Sequence, residues 1–346
     1  MSNKINIIIS SISIALLVIA SSVTLSSCSQ EESISATEIQ ENILNAYMLK
    51  YYPNIPEEDN GLYILSNKEG NINISTSQYD TCYPLVHYSI LTLDKTYSST
   101  IFKDIAKQLG EYSNFKYYGS RVWTSGVGSI SIGVERMLDN MKVGGQCTAI
   151  IPAWLSSDEV DTDMYNSTGS TFIYDIQLDT IVADIFEYET TLLKKYSDKY
   201  YAGLAEDSIN FYFNQTKTVE SDTNLVDGDA IKVWYVGKLL DGYVFDTNIK
   251  DTAIKYDIYT SSASYSPLSY THYMTIGSAY TNNSFVHGFT KAMNQLNYGE
   301  KAETFFGYEW GYDVSGKLSN GVGIPPYTPM YYQLRVLTKD EEDALN

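Results

Sequence analysis

The sequence predicts an α+β protein in which one domain occurs twice in tandem, each copy an antiparallel sheet with a short helix and each preceded by a helical segment. Three observations predict it: an ordered internal repeat, period-two strands in a chain rich in tyrosine, and helical spacing ahead of each copy.

The repeat rests on three blocks. Leu85-Val86-His87-Tyr88, followed by residues 93–99, matches Ile231-Lys232-Val233-Trp234-Tyr235-Val236-Gly237, followed by residues 240–247; pairing Tyr88 with Tyr235 gives an offset of 147. Residues 132–144 match 287–299 at an offset of 155, and residues 172–178 match 330–336 at an offset of 158. The order holds while the offset grows, as loop insertions would make it.

The elements follow in chain order. Lys4 and an apolar run to Leu25 read as a secretory signal, and Leu25-Ser26-Ser27-Cys28 resembles the bacterial lipobox, whose Cys is acylated after cleavage. This predicts a signal peptide over 1–27, lipid on Cys28 and an exported lipoprotein of the outer membrane, periplasmic or surface-facing. The alternative for the same run is an uncleaved transmembrane anchor. Ser29-Gln30-Glu31-Glu32 resembles the acidic tether of surface lipoproteins. Ile39, Ile43, Tyr47 and Tyr51 recur every four residues, which predicts a helix, stopped by Pro53 and Pro56. Residues 184–201 hold the same place before the second copy. Lys232, Trp234 and Val236 alternate with Val233, Tyr235 and Gly237, a half-buried strand, and Asp241-Gly242 marks a turn. Gly288 to Leu296 reads as the one short helix of the second copy, with Ala292 and Leu296 on one side. The predicted division is 28–60 for the lipidated tether and first helix, 61–183 for the first domain, 184–207 for the linker helix and 208–340 for the second domain.

The composition excludes several functions. Loss of Lys4 with the signal takes the formal charge from −19 to −20. So acidic a body lacks the clustered cations that nucleic acid requires, so no nucleic-acid partner is expected. His87, His272 and His287 are the only histidines, and no Cys or His cluster has zinc spacing, so neither metal nor cofactor is expected. Cys82 and Cys147 either pair or serve as small buried core residues; the sequence leaves both open. No Gly-x-Ser-x-Gly elbow occurs.

Five motifs of the second copy fall in the order of one family: Val233-Trp234-Tyr235-Val236-Gly237-Lys238-Leu239, Asp241-Gly242-Tyr243-Val244-Phe245-Asp246, Val286-His287-Gly288-Phe289, Tyr298-Gly299-Glu300-Lys301-Ala302 and Gly323-Ile324-Pro325-Pro326. In this the chain resembles the FKBP-type peptidyl-prolyl isomerases. The resemblance implies a bent antiparallel sheet around a short helix, and proline-containing polypeptides as clients. It implies that Tyr235, Phe245, Phe289, Ile324 and Tyr332 wall a proline pocket. Asp246 would bond Tyr235 at its edge, while the Val286 N–H and the Tyr312 hydroxyl would hold substrate carbonyls. Phe289 stands where the family most often has Trp, His272 or Tyr273 falls at an aromatic flap position, and residues 249–270 look like an insertion that could gate or extend the pocket. The first copy keeps Tyr88 and Tyr97 but offers Ser98 for Asp246, Val134 for the floor aromatic and Ser157 for Tyr312. It is expected to be structural or partner-binding. A non-catalytic binding lipoprotein is the alternative for the whole chain.

Overall fold

The structure, a computed structural model, describes residues 35–156, 170–220, 225–319 and 322–345. The signal, Cys28, the acidic tether and Ser157 lie outside the described residues.

Helix α1 (Ala36–Tyr51) begins at Ser35, whose hydroxyl accepts from the Glu38 N–H at 3.1 Å, satisfying one of the first-turn donors. Its buried face is not the stripe that the four-residue spacing of isoleucine and tyrosine marks. Ile39, Ile43 and Tyr51 are exposed, whereas Leu44 and Met48 are buried against Tyr63, Ile150 and Ile173. Both stripes have four-residue spacing, and only docking onto the sheet selects between them.

The first sheet contains β1 (Tyr63–Lys68), β2 (Tyr83–Leu91), β3 (Tyr97–Thr100), β4 (Arg121–Val122), β5 (Gln146–Ile151) and β6 (Phe172–Val182), in the order β1-β5-β6-β2-β3 with β4 also on β2. Helices α2 (Lys103–Leu109) and α3 (Ile132–Asp139) belong to it, and α4 (Ile185–Tyr200) follows as the linker. The second sheet contains β7 (Phe211–Lys217), β8 (Ala230–Leu239), β9 (Val244–Thr247), β10 (Leu268–Thr271) and β11 (Lys301–Phe306). It is completed, beyond a hairpin of β12 (Lys317–Ser319) and β13 (Val322–Ile324), by β14 (Met330–Val336). Its order is β10-β8-β14-β11-β7, with β9 on β8. Numbered from each domain's first strand, both sheets run one-five-six-two, with strands three and four sharing strand two. The described residues thus form an α+β protein of two tandem domains with the same sheet topology.

The repeat extends to packing detail. A Cβ on Gly133 in α3 would lie 2.2 Å from the Ile151 side chain; one on Gly288, in the matching helix α7 (His287–Met293), would lie 2.5 Å from the Phe306 ring. In each domain the helix presses its backbone onto the end of the fifth strand, and only glycine permits that approach. Gly144 and Gly299, at φ +84° and +75°, make the same left-handed turn before that strand.

Each copy has more helix than the single one expected. The insertion after β9 folds as α5 (Lys250–Lys255), with Ala253 and Ile258 buried against Val236 and Val244, and α6 (Ile276–Asn282) precedes α7. Asn248 pins the insertion: its amide donates to the Val233 and Ser266 carbonyls at 2.9 and 3.0 Å and accepts from Tyr235 N–H at 2.8 Å. Strand alternation puts Val236 on the opposite face from Ile231 and Val233, which pack with α7. The insertion therefore covers the back of β8. Helix α7 ends at Met293, short of the expected Leu296, although Ala292 and Leu296 are both buried in that core. Cys82 and Cys147 are buried and unpaired, and burial pushes both thiols up to about 11.

Tyrosines join the two domains. Tyr117 lies 5.2 Å from Tyr243 and Tyr83 lies 5.4 Å from Tyr327, ring centre to ring centre. Beside them α4 and both domains enclose a cleft of about 580 Å³.

Candidate active site

The aromatic cluster forms because β8, β9, β14 and α7 contribute Tyr235, Phe245, Tyr332 and Phe289 to the side of the second sheet on which α7 packs. Phe289, Ile324 and Tyr332 are buried, whereas Tyr235, Phe245, Val286 and Tyr312 are half-buried against them and Asp246 is exposed. The buried residues form the base of the cluster, and the half-buried and exposed ones lie on its solvent side. Phe289 stands edge-on to Tyr332 at 5.1 Å and to Tyr235 at 6.0 Å, and Phe245 stands edge-on to Tyr332 at 5.7 Å. Edge-to-face contacts of this kind fix ring orientation.

The polar groups converge on the same rim. The Tyr235 hydroxyl donates to Asp246 Oδ2 at 2.8 Å. Burial, then the Asp246 carboxylate, then Tyr312, push the Tyr235 phenol far above the ordinary tyrosine value. Burial does the same to Tyr332, with Tyr312, Asp246 and Tyr235 adding to it. Both phenols therefore stay protonated at physiological pH. Lys317 Nζ donates to the Tyr312 hydroxyl at 3.4 Å and lies 5.2 Å over its ring. Val286 is the N-cap of α7 in extended conformation, and no side chain caps that helix.

All eight residues named from the sequence are thus brought to one place. Sequence reasoning missed four neighbours. Phe285 packs on Phe289 at 5.1 Å and on Tyr270 at 6.0 Å, and Phe306 stacks behind Tyr332 at 6.0 Å. Lys317 orients Tyr312. Gly237 is the fourth: a Cβ there would meet the Phe245 ring at 2.6 Å and the Tyr332 ring at 3.0 Å. A glycine inside a strand pattern was the available signal for such a close approach. Of the two flap candidates, His272 is buried with its backbone bonded to Gly228 and Asp229, while Tyr273 is half-exposed.

The first domain keeps Tyr88 but differs around it. Val134 is buried where Phe289 stands, and Trp123 packs on Tyr88 at 5.1 Å. Ser131, the counterpart of Val286, turns its hydroxyl onto its own helix and accepts from the Val134 N–H.

Residues 221–337 match the family described as FKBP-type peptidyl-prolyl cis-trans isomerase. Solved structures similar to this protein include the three FKBP domains of wheat FKBP73, at 15% identity over 81% of this chain and 95% of that one, with a TM-score of 0.29. A peptidyl-prolyl cis-trans isomerase of Pseudomonas syringae pv. tomato is 18% identical over 44% of this chain and 93% of its own, with a TM-score of 0.30. FkpA of Escherichia coli is 20% identical over 44% of this chain and 61% of its own, with a TM-score of 0.31. At these scores the superpositions add nothing to the family match.

Proposed function

We propose that the second domain catalyses cis-trans isomerisation of X-Pro bonds in exported polypeptides at the cell envelope, and that the first domain has no isomerase activity. The observation that carries this reading is the aromatic cluster whose half-buried side holds Tyr235 and Tyr312, with the Tyr235 hydroxyl bonded to the exposed Asp246. Rotation about a peptide bond faces a barrier of ~18–20 kcal/mol because twisting destroys amide resonance. No nucleophile is needed. The planar, charge-separated amide is the form water solvates best, so an apolar surround raises it relative to the twisted form. The prolyl ring would sit against Phe289, Tyr332 and Ile324, and the Val286 N–H and Tyr312 hydroxyl would each hold a flanking carbonyl. Each tenfold acceleration asks ~1.4 kcal/mol of preference for the twisted geometry.

The first domain lacks the floor aromatic and the rim carboxylate, which supports assigning it a structural or partner-binding role. A lipid on Cys28 would hold the protein at a membrane, with each buried methylene of its acyl chains contributing ~0.8 kcal/mol. The test is a protease-coupled or NMR exchange assay on an X-Pro peptide, comparing wild type with Tyr312→Ala and Asp246→Ala. Acceleration that both substitutions reduce supports the reading. Wild-type rates equal to the uncatalysed background would leave a lipoprotein that only binds.

A further inference from the structure

The back of the second sheet, opposite the aromatic cluster, carries a row of side chains that the isomerase reading does not use. Strand register sets Trp234, Arg335, Lys301 and Lys217 beside one another on β8, β14, β11 and β7. With neighbouring strands about 4.8 Å apart, the row spans roughly 14 Å. Three of its four members are cations, in a chain whose net charge is −19. Like charges directly opposite one another are destabilising, and here Arg335 opposes Lys301 while Lys301 opposes Lys217. Glu341 engages the first, accepting from Arg335 Nη2. Lys301 is exposed, and among the described residues neither it nor Lys217 forms an ion pair. Glu303, on the same face, is committed elsewhere: it accepts from the Tyr201 hydroxyl at 2.8 Å and from the Gln333 amide at 3.1 Å. The strip stays open because other elements pack on either side of it. Helix α4 sets Leu193 on Tyr212, Phe305 and Tyr331, while α5 and its N-cap Ile249 pack on Val236. Between them lies a hollow of about 400 Å³, lined by Trp234, Ile249, Thr216, Gln333, Lys301 and Arg335. Small-ligand sites run to about 300–1,000 Å³.

We propose that this hollow binds an acidic sugar, a pyranose ring that carries a carboxylate, as in a uronate glycan. An indole offers a flat apolar face to the C–H side of such a ring and an N–H to its hydroxyls. A ring lying on Trp234 carries its carboxylate over the next two strands, where Arg335 and Lys301 supply charge-assisted hydrogen bonds. Thr216 and the Gln333 amide oxygen line the same hollow and serve the sugar hydroxyls. Charge complementarity selects an anion, and the negative charge of the rest of the chain selects a sparse one. A uronate bears one charge per ring, whereas nucleic acid presents a dense run of phosphates that needs a longer cationic track. A flat lipid surface fits less well, because Trp234 is half-buried in a recess between α4 and α5.

The test titrates the full chain by calorimetry with digalacturonate, with its dimethyl ester, which keeps both rings and loses both charges, and with tetraglutamate. Saturable binding of one digalacturonate per chain is expected, weakening as salt is added, with the ester and the peptide each at least tenfold weaker. Lys301→Gln should weaken digalacturonate at least tenfold while the melting temperature holds or rises, because an opposed pair of cations is relieved. Trp234→Ala should weaken the acid and the ester alike; should it fail to fold, the exposed Lys301→Gln still decides. Absence of saturable digalacturonate binding up to about 10 mM, tenfold beyond a millimolar site, overturns the proposal. So does equal affinity for the ester, equal affinity for tetraglutamate, or undiminished binding in Lys301→Gln. None of these outcomes touches the isomerase reading, since none of these residues belongs to the aromatic cluster on the other face.

Discussion

Replacing Gly237 by alanine tests the pocket at its tightest point. The new methyl would stand 2.6 Å from the Phe245 ring and 3.0 Å from the Tyr332 ring. Ordinary carbon contacts are ~3.5–4.0 Å, so a ring must move by about 1 Å. Tyr332 is buried between Phe306 and Phe289 and has nowhere to go, whereas Phe245 is half-exposed and can swing toward solvent. The strain is thus relieved at the pocket wall and not in the core, which places the stability cost near the low end of the ~1–3 kcal/mol typical of overpacking. Catalysis should suffer more, because a 1 Å misplacement can cost about a hundredfold. We expect Gly237→Ala to lower kcat/KM on an X-Pro peptide ten- to a hundredfold in the protease-coupled assay, roughly 1.4–2.8 kcal/mol. Melting should fall by only a few degrees. Full activity with unchanged melting would refute the placement of Phe245 and Tyr332 over this backbone.

Gly288→Ala should act oppositely, because its methyl would strike the fully buried Phe306 ring with no solvent side to yield; denaturant titration should show a loss of ~1–3 kcal/mol or more. On α1, Leu44→Ala should destabilise by ~2–5 kcal/mol while Ile43→Ala stays within ~0.5, and equal losses would mean the helix docks on its other stripe. In the first domain, the bond to Asp179 raises the His87 pKa against burial. Asp179 is held down by His87, Ser120 and Gln177, although burial opposes them. The histidine's contribution is full below its unfolded value, ~6.5, and is lost as pH rises through its folded one; the aspartate's is lost on acidification below ~3.9. Wild type should therefore exceed His87→Gln in melting temperature at pH 6 by more than at pH 8.5, and a constant gap between the two would count against the pairing.

Much of this molecule is legible in its linear order, because some signals depend only on local chemistry. The doubling of the domain is readable since strand alternation and turn glycines such as Gly144 and Gly299 recur whatever surrounds them. The eight residues of the aromatic cluster could be named because five motifs of the second copy resemble, in order, those of one family. Other features are set by contacts between distant segments. Leu44 and Ile43 lie on stripes of equal spacing, and only the sheet beneath α1 chooses which is buried. The fate of Cys82 and Cys147, the side of β8 that the insertion covers, and the row of Trp234, Arg335, Lys301 and Lys217 across neighbouring strands were likewise decided by packing. Local propensity spans a few residues, whereas burial is a property of the whole solvent-excluded surface, and no stretch of sequence contains its own neighbours.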